Sequence, residues 1–107
     1  MRIRKRPDLP GGSDVQLITS VSDALAHPVR LELFKYILQK NKNMELVCTG
    51  DLVDTFHYAQ ATISQHMTKL TVAGLVDSRT QNKHTYYFAN TGVLSKYLST
   101  TKNFVLE

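Results

Sequence analysis

The chain holds a single cysteine, Cys48, among its 107 residues. No intramolecular disulfide can form, which excludes the small secreted scaffolds held together by such bridges. No apolar run approaches the roughly 18 residues that a membrane-spanning helix needs. The start MRIRKRPDLPGG is basic, but no apolar stretch follows it, so it lacks the pattern of a signal peptide. Together these absences point to a cytoplasmic protein. There is no phosphate-binding glycine loop. No nucleophile, base and orienting group can be assembled from recognisable motifs, so neither an enzyme nor a bound cofactor is expected. Acids are also missing from one long stretch: no carboxylate lies between Thr55 and Val76.

What is present fits one small domain. A formal charge of +4 is a mild excess, so the placement of the cations matters more than their sum. Arg2, Arg4, Lys5 and Arg6 crowd the N-terminus, and Lys69, Arg79 and Lys83 fall in the second half. Pro7, Pro10, Gly11 and Gly12 break any regular element, so residues 1–12 form an expected flexible basic arm ahead of a domain at 13–105. Such an arm can lie along phosphates or in a minor groove, and its composition fits a loose terminus equally well.

Helical periodicity begins after the arm. Ser13 and Gln16 have capping-box spacing, and Ile18, Val21 and Leu25 recur at helical intervals with Leu17 beside them. His27-Pro28 closes this helix, because a residue before proline disfavours the α region. Pro28 suits the first turn of the next helix, over about 28–39. Val29, Leu31, Leu33, Phe34, Tyr36, Ile37 and Leu38 leave that helix little polar face, which places it in the middle of the domain. Lys40-Asn41-Lys42-Asn43 reads as a polar loop and Met44–Val47 as a short strand. Thr49 is the expected cap of a short third helix at about 50–55, with Asp51 in its first turn.

A fourth helix is expected at 60–73, with Ile63, Met67 and Leu70 as its buried stripe. Gly74 ends it. A strand from Leu75-Val76 and a second over His84–Ala89 make a hairpin around Gln81-Asn82-Lys83, where Asn82 tolerates the left-handed turn conformation. Tyr86, Tyr87 and Phe88 could stack on bases, but alternate members of a strand must face the core. Thr91-Gly92 opens a last helix with a wide apolar stripe: Val93, Leu94, Tyr97, Leu98, Thr101, Phe104 and Val105. The fold class is therefore mainly α with a small hairpin: about five helices and a two-stranded wing, in the order of a winged helix-turn-helix.

A helix that reads a major groove needs a greasy underside and a polar outer face. Opposite the stripe of the fourth helix lie Ala61, Thr62, Ser64, Gln65, Thr68 and Lys69, and Gln60 opens the helix as a further candidate contact. Glutamine can pair with adenine in bidentate fashion, alanine and threonine methyls can touch thymine methyls, and a lysine suits phosphate. Arg79, Lys83 and His84 near the hairpin tip add candidate backbone or minor-groove contacts. These ten residues form the expected interface with double-stranded DNA. More apolar surface on the first and last helices than one domain can cover suggests an isologous homodimer through them, with reading heads about 34–36 Å apart on an imperfect palindrome.

The stretches ALAHPVRLELFKYI, LVCTGDLVD and QATISQHMTKLTVAGLV, followed by a hairpin ending in TYYFAN, resemble the ArsR/SmtB winged-helix repressors over about 21–89. The resemblance implies a flat α-β homodimer that binds an operator through the helix at 60–73 and releases it when an inducer binds. This chain departs from the family at His57, where many members have glycine, and at Ala59, where the usual cap is serine. Losing that cap is expected to cost roughly 1 kcal/mol. Metal-sensing relatives often carry Cys-x-Cys-Asp-Leu at the third helix; here the match is Cys48-Thr49-Gly50-Asp51-Leu52. One thiolate cannot make the multi-cysteine site a soft metal wants. The zinc ligands that other relatives place on the last helix are missing from Val93–Val105. No metal site is expected, and His27, His57, His66 and His84 read as structural or surface residues, with His84 also a candidate DNA contact. Cys48 near a helix N-terminus is a candidate thiol sensor or a small buried hydrophobe. Two alternatives to an operator-binding repressor of unknown signal stay open: a metal- or thiol-responsive repressor using Cys48, and a winged-helix module that binds protein in place of DNA.

Overall fold

A computed structural model describes residues 12–106. The chain order is α1 (Gly12–Leu25), α2 (Pro28–Lys42), α3 (Thr49–Phe56), α4 (Gln60–Val72), β1 (Val76–Gln81), β2 (His84–Ala89) and α5 (Thr91–Leu106). The five helices and the two-stranded wing are as expected. The basic arm at residues 1–11 lies outside the described residues, while Gly12, expected as its last member, already belongs to α1.

α1 starts before Ser13, which therefore sits inside the first turn and is not the residue that caps it. Its buried line also differs from the expected one. Val21 and Ala24 are buried, whereas Ile18 and Leu25 are only half-buried. The core-facing line passes through the small Ala24.

At the corner between α1 and α2 the imidazole of His27 caps α2, its Nδ1 accepting from the Val29 N–H at 3.1 Å. Arg30 reaches back from α2 and donates to the Ala24 carbonyl at 2.7 Å and the Asp23 carbonyl at 3.1 Å. It thereby helps satisfy the carbonyls at the end of α1, where the Asp23 carbonyl also accepts from the Ala26 N–H at 3.2 Å. Leu33, Phe34 and Ile37 are buried, but Leu31 is exposed, so α2 is central on one side only.

The expected loop at 40–43 is helical through Lys42. Lysines in a last turn favour the negative end of the helix dipole, and Asn41 has a tertiary task. Its Oδ1 accepts from the Ala89 N–H of the wing at 2.8 Å, and its Nδ2 donates to the Glu45 carbonyl at 3.3 Å. The expected strand at 44–47 does not form. One isolated bridge pairs Cys48 with Tyr86, and the Tyr87 N–H donates to the Val47 carbonyl at 2.9 Å.

α3 is capped by Cys48 and not by Thr49, with the Asp51 carboxylate accepting from the Cys48 N–H at 2.9 Å. Thr49 instead bonds the hydroxyl of Tyr87 at 2.9 Å and ties α3 to the wing. α3 ends on His57 in the left-handed region (φ 61°), a conformation that histidine tolerates better than most non-glycine residues. This replaces the family's glycine and allows the sharp turn into α4. Ala59 occupies the cap position of α4 without a side-chain hydrogen bond, as expected.

Ile63, Met67 and Leu70 of α4 are at most 1% exposed and meet Val21, Leu33, Ile37 and Leu52 in a single core. Gly74 (φ 83°) turns the chain into β1. β1 and β2 pair antiparallel from Val76↔Ala89 to Gln81↔His84, so Gln81 belongs to the strand and the turn is Asn82-Lys83 alone. Both turn residues have positive φ, which matches the right-handed twist of a two-residue hairpin. Val76 and Tyr87 face the core, while Arg79, His84, Tyr86 and Phe88 share the other face by register. α5 is opened by Asn90, whose Oδ1 accepts from the Val93 N–H at 3.1 Å.

Candidate nucleic-acid interface

α4 is held against the core along one side, which fixes what its other side offers. Gln60, Ala61, Ser64, Gln65, Thr68 and Lys69 are all exposed, and Thr62 is half-buried on the flank. Thr68 donates its hydroxyl to the Ser64 carbonyl at 2.9 Å, and Thr71 does the same to Met67 at 2.7 Å. The Thr68 proton is therefore engaged within the helix, leaving its methyl and the remaining lone pairs of its oxygen to face a ligand.

Gln60 at the start of α4 meets the wing tip across a cleft of about 310 Å³, lined by Thr49, Val53 and Asp54 of α3 and by Lys83 and His84. The wing tip, the first residue of α4 and α3 thus form one continuous surface. Arg79 stands apart from this cluster. It pairs with Tyr86 in the middle of the hairpin, and its guanidinium sits 5.4 Å from the ring centre of Phe88. That cation–π contact is worth about 0.5–1 kcal/mol at an exposed site and parks the charge on the outer face of the wing. His84 lies beside Tyr86 on the same face, ring centres 6.2 Å apart.

Three residues near this surface escaped the sequence reading. Tyr58, in the turn before α4, is 42% exposed, and Val72, at the far end of the helix, is 83% exposed. Asp54 brings a carboxylate to the cleft from just outside the acid-free stretch. The helical period would have placed Val72 in line with Gln65. The other two depend on how α3 and the turn sit against α4.

Behind the interface, the structure brings together two histidines that are far apart in sequence. The rings of His27 and His66 lie 4.7 Å apart between centroids, tilted by 52°. Burial pushes the His66 imidazole below its ordinary value, and the nearby His27 and Arg30 add to the effect. α4 thus meets the α1–α2 corner through an imidazole that resists a charge. Cys48 is a half-buried free thiol. Among the described residues no group of three or more His, Cys, Asp or Glu is arranged to hold a metal ion, and no helix is long and apolar enough to cross a membrane.

Residues 27–78 match the family of bacterial regulatory proteins of the arsR type. Comparison with curated protein sequences gives no significant match. Among solved structures, the chain is similar to an ArsR-like transcriptional regulator from Rhodococcus sp. RHA1, with 20% identity over 88% of this chain and 84% of that one and a TM-score of 0.76. It is also similar to NolR from Sinorhizobium fredii, with 21% identity over 97% of both chains and a TM-score of 0.65. The transcriptional repressor BigR from Xylella fastidiosa is 21% identical over 91% of this chain and 89% of that one, with a TM-score of 0.59. The family match spans the helix-turn-helix and the start of the wing, and the fold is the one shared by these solved structures: the chain is similar to the ArsR-type winged helix-turn-helix proteins, a class of transcriptional regulators and not of enzymes.

Proposed function

We propose that the protein is a homodimeric repressor that docks α4 in successive major grooves of a palindromic operator and lets go in response to a signal. The observation that carries this proposal is the two-sided character of α4. Ile63, Met67 and Leu70 are at most 1% exposed, while Ala61, Ser64, Gln65, Thr68 and Lys69 stand free on the other side and Gln60 is exposed at the start of the helix. A face of amide, hydroxyl, methyl and one cation, with no carboxylate on the helix, suits base edges flanked by phosphate. Lys83 and His84 at the wing tip supply further contacts beside the groove, and Arg79 reaches a backbone only by leaving Phe88.

Dimerisation is supported by α5, none of whose side chains from Thr91 to Phe104 is buried, although Leu98 is 57% and Phe104 66% exposed. α1 lies alongside it, joined by Ser22 and Tyr97 at 3.0 Å, and leaves Val15 40% exposed. An apolar surface shared by two adjacent helices suits the same surface of a second copy. A cytoplasmic location follows from the role.

For the signal, one observation favours a thiol. Cys48 caps α3 and its backbone pairs with Tyr86 of the wing, so modification there would disturb two parts of the interface together.

The test is selection of bound duplexes from random DNA at low salt, followed by titration of the selected site at rising salt. The expected result is a two-fold symmetric site whose affinity falls linearly on a log–log plot as salt rises. Absence of affinity for any duplex would leave a protein-binding winged helix as the remaining role.

A further inference from the structure

The composition of the reading face points to the kind of sequence it selects. At about 100° per residue, positions 61, 65, 68 and 72 form one line down the middle of the exposed side of α4, opposite Ile63, Met67 and Leu70. They are Ala61, Gln65, Thr68 and Val72, all exposed, with Val72 83% exposed. Lys69 lies on the flank. No arginine, asparagine or acid occurs in the helix.

Each base pair offers different chemistry in the major groove. Guanine is read by a bidentate arginine or lysine and cytosine by a carboxylate. The central line has neither. Adenine is read by glutamine or asparagine, and thymine by apolar contact with its methyl. Gln65 meets the first need. Ala61, Val72 and the Thr68 methyl, left outward by the hydroxyl's bond to Ser64, meet the second. Among the described residues nothing covers Val72.

We propose that α4 selects A·T-rich half-sites, with Gln65 on an adenine and Ala61, Thr68 and Val72 against thymine methyls; this rests on the operator-binding role proposed above. From Ala61 to Val72 the line runs about 16 Å, the rise of about five base pairs. The half-site core is no longer than that. The wing tip agrees independently. Lys83 and His84 are exposed at the hairpin turn, and A·T tracts have a narrow minor groove whose negative potential draws cationic side chains.

The experiment starts with the full chain and a random duplex library. The selected half-site is expected to have an A·T core. Each of its thymines is then replaced singly by deoxyuridine, which keeps the pairing and removes one methyl. Affinity is expected to fall about three- to fivefold at the positions facing Ala61, Thr68 or Val72, the worth of one buried carbon. Gln65→Ala is expected to relax selection at one adenine, with an affinity loss of about five- to a hundredfold on the selected site. A half-site with a G·C core, or duplexes indifferent to every uracil, overturns the A·T assignment while leaving operator binding intact. Failure to select any duplex at low salt overturns operator binding, and the assignment falls with it.

Discussion

α4 and α5 are both amphipathic helices, and the structure treats them in opposite ways. The stripe of α4, Ile63, Met67 and Leu70, is removed from water by α1, α2 and α3. No side chain of α5 from Thr91 to Phe104 is fully buried: Val93, Leu94 and Tyr97 are half-buried against the core, while Leu98 and Phe104 face outward. In α4 the apolar side is an anchor and the polar side is free to bind a polar surface. In α5 the apolar side is itself partly free, at Leu98 and Phe104. The same periodicity therefore marks a ligand face in one helix and a partner face in the other, and burial tells them apart.

The largest expected effect comes from attacking the uncovered side. Leu98→Asp with Phe104→Asp places two carboxylates in the proposed dimer seam. Sedimentation is expected to give a monomer, and operator affinity to fall by a factor on the order of a hundred or more as the second reading head is lost. A stable dimer in that variant would make α5 an ordinary surface helix and end the contrast.

Next comes the anchor of α4. Met67→Ala leaves a cavity among Ile63, Leu70 and the core of α1 and α2, and is expected to lower unfolding free energy by about 2–5 kcal/mol in denaturant titration. Leu98→Ala on the free side of α5, measured at concentrations where the chain is monomeric, is expected to cost far less.

Smaller effects separate binding from folding. Gln65→Ala is expected to lower operator affinity by about 1–3 kcal/mol and leave the melting temperature unchanged. Lys69→Ala is expected to weaken all duplexes alike and to reduce the slope of affinity against salt by about one. A drop in melting temperature for either would mean that the outer face of α4 contributes to the fold.

The subtlest test concerns the fastening of α4 to the α1–α2 corner. The folded state holds the His66 imidazole below its ordinary value through burial, with His27 and Arg30 adding to it. The unfolded chain therefore takes up this proton first as pH falls. Stability is expected to be undiminished by His66 above its ordinary value near 6.5 and to decline as pH falls from there through the lower folded value. His66→Asn is expected to flatten the thermal-melting profile between about pH 7.5 and 5.5. An unchanged slope in that variant would place the acid sensitivity elsewhere.

Much of the architecture is legible in local patterns. The stripe of α4 follows from a period near 3.6 residues. The turn at Asn82-Lys83 follows from a residue that accepts positive φ between two β-forming runs. His57 takes the left-handed turn because histidine can stand in for glycine there. Local rules were misleading where a side chain serves a distant partner. Asn41 reads as a loop former, yet α2 continues through it because its amide holds the wing at Ala89. Thr49 reads as a cap, yet its hydroxyl belongs to Tyr87 and the cap falls to Cys48. Within the candidate interface, the exposed line of α4 was readable, but the position of Arg79 over Phe88 depends on strand register.

By itself the sequence determined the helices, the hairpin and which side of α4 is greasy, because these depend on spacing between near neighbours along the chain. Only the tertiary structure decided that His27 touches His66, that a cleft joins Gln60 to the wing tip, and that Leu98 and Phe104 of α5 are left exposed. Those facts depend on how whole elements pack, and packing is set by the summed fit of many side chains that no local pattern records.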